Sequence, residues 1–303
     1  RFAQTSIKEF EEALAELKAK KMKSLILDLR GNNGGYLNVA AELSNEFLKE
    51  DMTIVFTEGL KSPKQIFNTE KNGDFTDGKL VVLIDEGSAS ASEIVSGAVQ
   101  DWDRGVLIGR RSFGKGLVQR PFNLPDGSVV RLTTARYYTP TGRCIQRSYD
   151  KGSEDYYNEM TKRMKHGEYY HADSIHFPDS LKYSTMLSGR TVYGGGGIMP
   201  DIFVPQDTTG ITSYFTMAAN RGLTIQFSFQ YTDKNRQTLQ KYKTGEEMLK
   251  YLKTQNILEK FAQFAEGKGL KRRNLLMYKS KELFNRNLYG NIIYNMLNME
   301  EYL

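Results

Sequence analysis

The sequence predicts an α/β fold for residues 1–206 and a mostly helical region over residues 207–303. Short apolar runs of the kind that form buried strands alternate with amphipathic segments on short connections, which is the pattern of a sheet with helices packed on its faces. Two of these runs lead into turns rich in glycine or serine. Beyond residue 207 the apolar residues recur at spacings of three and four, which is typical of helices.

The elements can be assigned in order along the chain. Apolar runs predict strands, and amphipathic segments with capping residues predict helices. The polar, turn-rich residues 59–78 predict a loop or hairpin, and the charged, tyrosine-rich residues 148–190 predict a helical insertion. The expected strands are 25–29, 53–56, 80–84, 106–109, 128–138 and 202–204, and the expected helices are 6–21, 37–48, 90–102, 246–253, 257–266 and 281–297.

The amino-acid composition limits which classes of protein the chain can belong to. With 39% hydrophobic and 12% aromatic residues, the chain of 303 residues can build a real core, and 26% charged residues argue against extended disorder. The net charge of +6 is mild for this length, and the one short basic cluster lies at 268–273. We therefore expect a solvated surface and no nucleic-acid partner.

Several kinds of site are also disfavoured. Cys144 is the single cysteine, so the chain has no internal disulfide and no cysteine zinc site. The three histidines, at 166, 171 and 176, do not share one helix face, and neither a metal nor a cofactor is expected. No apolar run reaches the roughly 18 residues that cross a bilayer. Because the chain begins at Arg1, we interpret it as a fragment in which a missing signal peptide is uninformative.

Ser90 is the first candidate for chemistry. It lies in the run Gly-Ser-Ala-Ser-Ala-Ser-Glu-Ile over residues 87–94, and its spacing to Glu93 is that of a capping box, so the simplest interpretation is a helix cap. The small neighbours would also let a substrate backbone approach, and a helix N-terminus offers unpaired amides to an oxyanion. A serine nucleophile needs a base. The first histidine is His166, which favours a lysine in that role.

Lys115 is the candidate base. It lies between two glycines, which would allow a turn that aims its side chain inward, although a solvated surface turn has the same sequence. A lysine acts as a base in its neutral form, which burial and positive potential favour, whereas arginine stays charged. Gln119 could orient the amine or be an ordinary strand residue. The turn at Gly34 and Gly35 could supply a second backbone donor to an oxyanion.

Two shorter matches imitate a penicillin-binding protein. Ser112 and Lys115 have Ser-x-x-Lys spacing, and residues 243–245 read Lys-Thr-Gly. That chemistry needs the first pair one turn apart on a helix and the second motif on a strand. Here the first pair follows a strand and encloses a glycine, and the second leads into a helical segment, so this interpretation is disfavoured.

Taken together, the ordered motifs resemble those of the carboxyl-terminal processing peptidases, which are tail-specific serine proteases of peptidase family S41. The resemblance covers roughly residues 1–206 and combines several motifs in one order, which makes it specific. The segments that carry it are Leu-Asp-Leu-Arg-Gly-Asn at 27–32 with Gly-Gly at 34–35, the serine–alanine run at 87–94, Phe-Gly-Lys-Gly at 113–116 with the glutamine at 119, Tyr-Thr-Pro-Thr-Gly-Arg-Cys-Ile-Gln at 138–146, and Gly-Gly-Gly-Ile at 195–198 with Pro-Asp at 200–201.

The resemblance implies a core of the ClpP/crotonase type and a Ser–Lys dyad. It assigns Ser90 as the nucleophile, Lys115 as the base and Gln119 as the residue that orients the lysine. It assigns the amides of Gly35 and Ala91 to the oxyanion hole. The implied activity is that of a serine endopeptidase that cleaves proteins near their C-termini through an acyl-enzyme, without a cofactor.

The resemblance also sets expectations about context. The substrates would be proteins or peptides with accessible C-termini, in the bacterial cell envelope or periplasm, and the protein could form a homo-oligomer. The family usually carries a PDZ domain ahead of this region, so we expect a fragment without it, with any membrane association residing outside this chain. Two alternatives remain, a crotonase-like acyl-CoA enzyme and a non-catalytic scaffold that binds proteins.

Overall fold

A computed structural model describes residues 1–297, and its contacts divide the chain into two compact units. The first unit is Arg1–Gln206, and the second begins at Asp207. The first unit contains the strands and four helices. The strands are β1 (Ser24–Asp28), β2 (Thr53–Gly59), β3 (Ser62–Asn68), β4 (Lys79–Ile84), β5 (Val106–Gly109), β6 (Leu117–Asn123), β7 (Val129–Tyr138), β8 (Lys182–Ser184), β9 (Thr191–Tyr193) and β10 (Ile202–Phe203). The helices are α1 (Ser6–Ala19), α2 (Leu37–Asn45), α3 (Ala91–Asp101) and α4 (Gly152–Lys165).

The central sheet of the first unit is parallel, in the order β1-β4-β5-β10. Leu25 pairs with Leu80, and Val82 pairs with Leu107, so the apolar runs predicted as strands lie side by side. A second, antiparallel sheet has the order β3-β2-β7-β6, and β8 pairs with β9 in a separate hairpin. Parallel strands joined through helices confirm the predicted α/β class.

Helix α3 lies inside the core rather than on its surface. Every one of its residues, Ala91–Asp101, is buried, and Val95, Ala98 and Val99 have no exposed surface. It packs against α2, β2 and β5. Because a helix buried on all sides cannot shift without disturbing its neighbours, the core fixes the position of its N-terminal end.

The structure differs from the predicted elements in two places. Strand β6 was not expected, because it is an exposed edge strand without apolar alternation and contains Pro121, which sheets accept at edges. The segment 148–190 was expected to be a helical insertion. It contains α4 but also the β8–β9 hairpin, whose strands of three residues each are too short to produce a readable period. The polar segment 59–78 forms a hairpin strand, β3, paired with β2.

The second unit is helical within the described residues. Its helices are α5 (Ser213–Asn220), α6 (Leu223–Leu239), α7 (Gly245–Leu252), α8 (Ile257–Gly267), α9 (Asn274–Lys279) and α10 (Lys281–Met296). Phe261 and Phe284 are fully buried at the centre of its separate core, with ring centroids 5.1 Å apart. Thr244 caps the start of α7, so the Lys-Thr-Gly motif leads into a helix and not along a strand. Within residues 1–297, no helix has both the length and the hydropathy to cross a membrane.

A buried ion pair anchors the end of α3. Arg143 Nη2 lies 2.6 Å from Asp101 Oδ1, and both side chains are fully buried. The other oxygen of Asp101 accepts from the amide and the hydroxyl of Thr141, at 3.0 and 2.8 Å. Arg143 also donates to the Tyr193 carbonyl at 3.0 Å. The Thr-Gly-Arg motif therefore binds the end of the buried helix.

We expect Asp101→Asn to destabilise the first unit by about 3–5 kcal/mol, because it leaves the Arg143 charge buried without its counter-ion. The measurement is urea unfolding followed by fluorescence of Trp102, the only tryptophan in the sequence. Asp74→Asn is the matched control, because it breaks the exposed pair with Lys18 and should leave the midpoint nearly unchanged. Equal midpoints for the two variants would contradict this role for the buried pair.

Candidate active site

Ser90 occupies the turn that joins β4 to α3. Its backbone has φ +56° and ψ −114°, a conformation that residues other than glycine rarely adopt and that costs about 1–3 kcal/mol. The neighbouring turn holds it there, since the Ala89 amide donates to the Asn32 carbonyl at 3.0 Å. Such strain commonly accompanies functional positions, because it presents a side chain that a relaxed turn would not.

The structure distinguishes among the three serines of the run. Ser88 is fully buried, and its hydroxyl donates to the Leu29 carbonyl at 2.7 Å. Ser92 is also fully buried, and its hydroxyl donates to the Asn32 carbonyl at 2.8 Å. Ser90 is half-buried and accessible at the helix end. Of the three hydroxyls, that of Ser90 is the one placed to meet a substrate.

The turn at Gly34 and Gly35 packs directly against the Ser90 turn. A Cβ on Gly34, whose φ is +87°, would lie 2.7 Å from Ala91 N, so only glycine fits there. This contact follows from topology, because β1 and β4 are adjacent parallel strands whose carboxyl ends share one edge. Within residues 1–297 the amides of Gly35 and Ala91 donate no hydrogen bond, which leaves both available beside Ser90.

A single carboxylate, that of Glu93, joins the Ser90 turn to the lysine loop, residues 110–116. Its Oε2 accepts from the amides of both Ser90 and Lys115, each at 2.9 Å. Its Oε1 accepts from the Gly114 amide at 2.7 Å and from the Ser112 hydroxyl at 2.5 Å. Glu93 was expected only to cap its own helix. Its hydrogen bonds place the backbones of Ser90 and Lys115 next to each other.

Glu93 is fully buried, and burial raises the pKa of its carboxyl above the ordinary value. Hydrogen bonds from Ser112, Lys115, Gly114 and Ser90 act in the opposite direction, because each favours the charged form. Three of these donors are backbone amides, which can donate but cannot accept. The site therefore requires two acceptor oxygens at this position.

Tyr137 makes a second link between the two segments. Its hydroxyl lies 3.1 Å from the Ser90 carbonyl oxygen and is also hydrogen-bonded to the Lys115 carbonyl oxygen. The side chain is buried, and burial raises the pKa of its phenol well above the usual value, so it stays a neutral donor. Sequence analysis did not identify Tyr137, because nothing local marks a strand tyrosine whose partners lie 47 and 22 residues away.

Residues 144–147, which read Cys-Ile-Gln-Arg, form hydrogen bonds with the lysine loop. Gln146 Oε1 accepts from the Gly116 amide at 2.8 Å, and the Arg147 amide donates to the Gly114 carbonyl at 3.1 Å. Sequence analysis quoted Gln146 within a motif but gave it no role. Cys144 is half-buried, and burial raises the pKa of its thiol, which disfavours the thiolate that a nucleophile would need.

Two other predicted residues have clear positions. Gln119 lies exposed on β6, where it faces Thr133 across a register shift, and within residues 1–297 it makes no hydrogen bond to Lys115. Ser112 is fully buried, donates to Glu93 and accepts from the Ile198 amide at 2.6 Å. A serine held in this way cannot reach a substrate, which excludes the penicillin-binding arrangement.

Asp28 and Arg30 form an ion pair at the carboxyl end of β1. Arg30 Nη2 lies 2.6 Å from Asp28 Oδ2, and the Arg30 amide donates to Asp28 Oδ1 at 3.0 Å. The hydrogen bonds from the Arg30 side chain lower the pKa of the Asp28 carboxyl. The Gly31 amide donates to Asp85 Oδ1 at 2.8 Å, which ties this turn to the end of β4.

We expect Glu93→Gln to destabilise the first unit although it preserves shape. An amide nitrogen in place of either oxygen would face backbone N–H groups and leave them unpaired, at about 1–3 kcal/mol for each lost partner. Urea unfolding followed by Trp102 fluorescence measures the loss. Glu12→Gln is the control, because it removes an exposed carboxylate paired only with Lys8 and should leave the midpoint nearly unchanged. A Glu93→Gln variant as stable as the wild type would refute the role of the two oxygens.

Two family models match different parts of the chain. Residues 1–153, just over half of the 303-residue chain, match the model of peptidase family S41. Residues 214–298 match a family of unknown function (DUF8443). Among solved structures, the photosystem II D1 C-terminal processing protease aligns with a TM-score of 0.49 and 26% identity, over 69% of this chain and 41% of that one.

The curated relatives match about half of the chain. The carboxy-terminal-processing protease of Bartonella bacilliformis is 44% identical over 150 residues, which are 48% of this chain and 34% of that protein. The carboxy-terminal processing protease CtpA of Bacillus subtilis is 38% identical over 48% of this chain and 31% of its own length. The chain spans about a third of the length of the curated relatives that it matches.

The matched residues contain the Ser90 turn, the glycine turn beside it and the lysine loop, which the fold brings together at one edge of the parallel sheet. They also contain four of the five segments on which the resemblance rested, and the fifth, at 195–201, lies outside them. With more than half of its length inside the family match, the chain belongs to peptidase family S41.

Proposed function

We propose that this chain carries the catalytic part of a serine endopeptidase that uses a Ser90–Lys115 dyad. The observation that supports it most is the Glu93 Oε2 atom, which accepts from the amides of both residues at 2.9 Å. Two residues that share one acceptor oxygen have their backbones within a few ångströms. No histidine precedes His166 in the sequence, which favours Lys115 as the base of the site.

In the proposed reaction, the Ser90 hydroxyl attacks the scissile carbonyl carbon while the neutral amine of Lys115 takes its proton. The carbonyl oxygen becomes an oxyanion, which the free amides of Gly35 and Ala91 stabilise. When the tetrahedral intermediate collapses, the C–N bond breaks and Lys115 returns the proton to the leaving amine. Water then attacks the acyl-enzyme with Lys115 again as base, and Ser90 is regenerated.

The Gly34 contact supports the proposed oxyanion hole. A Cβ on Gly34 would lie 2.7 Å from Ala91 N, so the backbone that leads into Gly35 packs directly against Ala91. Both amides are fixed by rigid elements, one by α3 and the other by the bridge between Phe2 and Gly35. Donors that are already in place cost no reorganisation when charge develops.

The proposed role of Gln119 is to orient the Lys115 amine when substrate is bound. Gln119 is two residues beyond the start of β6, on the strand that directly continues the lysine loop. Its side chain is exposed and free to turn toward Lys115. Hydrogen bonds in an unliganded site are commonly longer than in the reacting complex.

We propose protein substrates that are cut near their C-termini, because the relatives are named as carboxy-terminal processing proteases. We also propose a place in the bacterial cell envelope or periplasm. The relatives come from bacteria and from chloroplasts.

We expect Ser90→Ala and Lys115→Ala each to lower cleavage of an unfolded protein by at least about 10³-fold while leaving the fold intact. Lys115→Arg should be equally inactive, because arginine keeps its proton and cannot act as a base. Cleavage is followed by mass spectrometry of the products, and folding by Trp102 fluorescence. Ser88→Ala is the matched serine control and should retain labelling by a fluorophosphonate. Full activity of Lys115→Arg would exclude the neutral-lysine mechanism.

We expect Tyr137→Phe to lower kcat about tenfold, the equivalent of about 1.4 kcal/mol of barrier, because the carbonyls of Ser90 and Lys115 lose their shared donor. KM should change less than kcat, since the hydroxyl does not face the substrate. Tyr138→Phe is the control, because its ring stacks on Phe56 and its neighbouring position on β7 points the other way. Equal effects of the two variants would show that Tyr137 has no special role.

A further inference from the structure

Helix α4 carries Arg163, whose buried side chain contacts the lysine loop. Its side chain is 2% exposed. Nη1 donates to the Ser112 carbonyl at 2.9 Å, and Nη2 donates to the Arg111 carbonyl at 2.8 Å. Nε donates to Glu168 Oε2 at 3.1 Å, which supplies the counter-charge. The planar guanidinium thus holds two consecutive carbonyls of the loop, a geometry that lysine cannot reproduce.

From this geometry we infer that Arg163 is a positioning residue for Lys115. The inference rests on the proposed function of the dyad. Arg163 fixes the Ser112 backbone, and the Ser112 hydroxyl donates to Glu93. Glu93 in turn accepts from the amides of Lys115 and Ser90. A continuous series of buried and partly buried hydrogen bonds therefore runs from α4 to both members of the dyad.

Other residues of α4 contact the same loop through Arg147. The Arg147 guanidinium lies 4.2 Å from the centre of the Tyr156 ring and 4.1 Å from the centre of the Phe113 ring. Glu159 Oε2 is 3.5 Å from Arg147 Nη1. Arg163 is the residue of α4 whose side chain bonds directly to the loop backbone, so the inference concerns it.

Arg163 acts through the loop and not on the substrate. Both terminal nitrogens and Nε are already hydrogen-bonded, and the group is almost inaccessible. Its position is at residue 163, beyond residues 1–153 that match the family. The segment 148–190 is therefore more than a surface insertion, because part of it builds the environment of the base.

The loss of Arg163 has two predictable results. The carbonyls of Arg111 and Ser112 would be left buried without donors, and the loop would shift to reach water or new partners. A shift of about 1 Å at a catalytic group can cost about 10²-fold in rate. Substrate binding would be affected less, because none of these contacts faces the outside of the molecule.

The test measures Arg163→Met with a quenched fluorescent peptide that ends in a free carboxylate. We expect kcat to fall 10- to 100-fold with KM within about twofold of the wild type. The rate of Ser90 labelling by a fluorophosphonate should fall by a similar factor. Arg163→Lys should recover part of kcat, because its ammonium can serve one of the two carbonyls. If Arg163→Met does not fold, Arg163→Lys alone should show a smaller loss of kcat at unchanged KM.

Arg190→Met is the matched control. Arg190 bonds Asp103 at 2.8 Å and Asp201 at 2.7 Å, away from the lysine loop, so its loss should lower stability and leave kcat near the wild-type value. Any one of three results would overturn the inference. The first is a folded Arg163 variant with unchanged kcat, and the second is a rise in KM that accounts for the whole effect. The third is an equal loss of kcat in Arg190→Met.

Hydrogen–deuterium exchange separates this inference from the proposed function. The amides of Gly114 and Lys115 are bonded to Glu93 and should exchange slowly in the wild type. Arg163→Met should accelerate exchange in residues 112–116, and Arg190→Met should not. If the wild type neither cleaves nor is labelled, the proposed function fails, and hydrogen–deuterium exchange alone then tests the inference. Faster exchange of residues 112–116 in Arg163→Met supports positioning by Arg163. Unchanged exchange in that variant overturns it.

Discussion

The arrangement of the site depends on one buried carboxylate, that of Glu93. Four donors converge on its two oxygens, and they come from the Ser90 turn and from the lysine loop. Burying a carboxylate is costly unless each oxygen is satisfied, and here each has two partners. The same hydrogen bonds that make the burial tolerable also hold the backbones of Ser90 and Lys115 next to each other. The hydrogen bonds of Glu93 are thus needed both for the stability of the core and for the geometry of the site.

The scaffold around this carboxylate is equally rigid. Helix α3 is buried on all sides and is held at its far end by the Asp101–Arg143 pair. Its near end meets the Gly34 turn, where a side chain would collide with Ala91 N. Movement of Ser90 relative to the amides of Gly35 and Ala91 would require movement of the sheet itself. This is the preorganisation on which stabilisation of a developing charge depends.

The elements that local sequence patterns encode could be predicted from the sequence. The strands of the parallel sheet were readable because they are apolar runs, and the order of those strands placed the Gly35 and Ser90 turns on one edge. Strand β6 was missed because its exposed, proline-containing sequence has no buried face. The long-range role of Glu93 was missed because its capping spacing already gave a sufficient local explanation. The contacts of Tyr137 and Arg163 join segments 22 to 52 residues apart, which no period or spacing reveals.

The backbone of Ser90 has a consequence for which hydroxyl amino acid the site accepts. A threonine hydroxyl could attack a carbonyl as a serine hydroxyl does, and several unrelated hydrolases use one. At φ +56°, however, a β-branched side chain collides with its own backbone, and such residues are true outliers in this region. The turn that holds Ser90 therefore also restricts which side chain can occupy this position. Exchange of serine for threonine is prevented by main-chain geometry, independently of the reactivity of the oxygen.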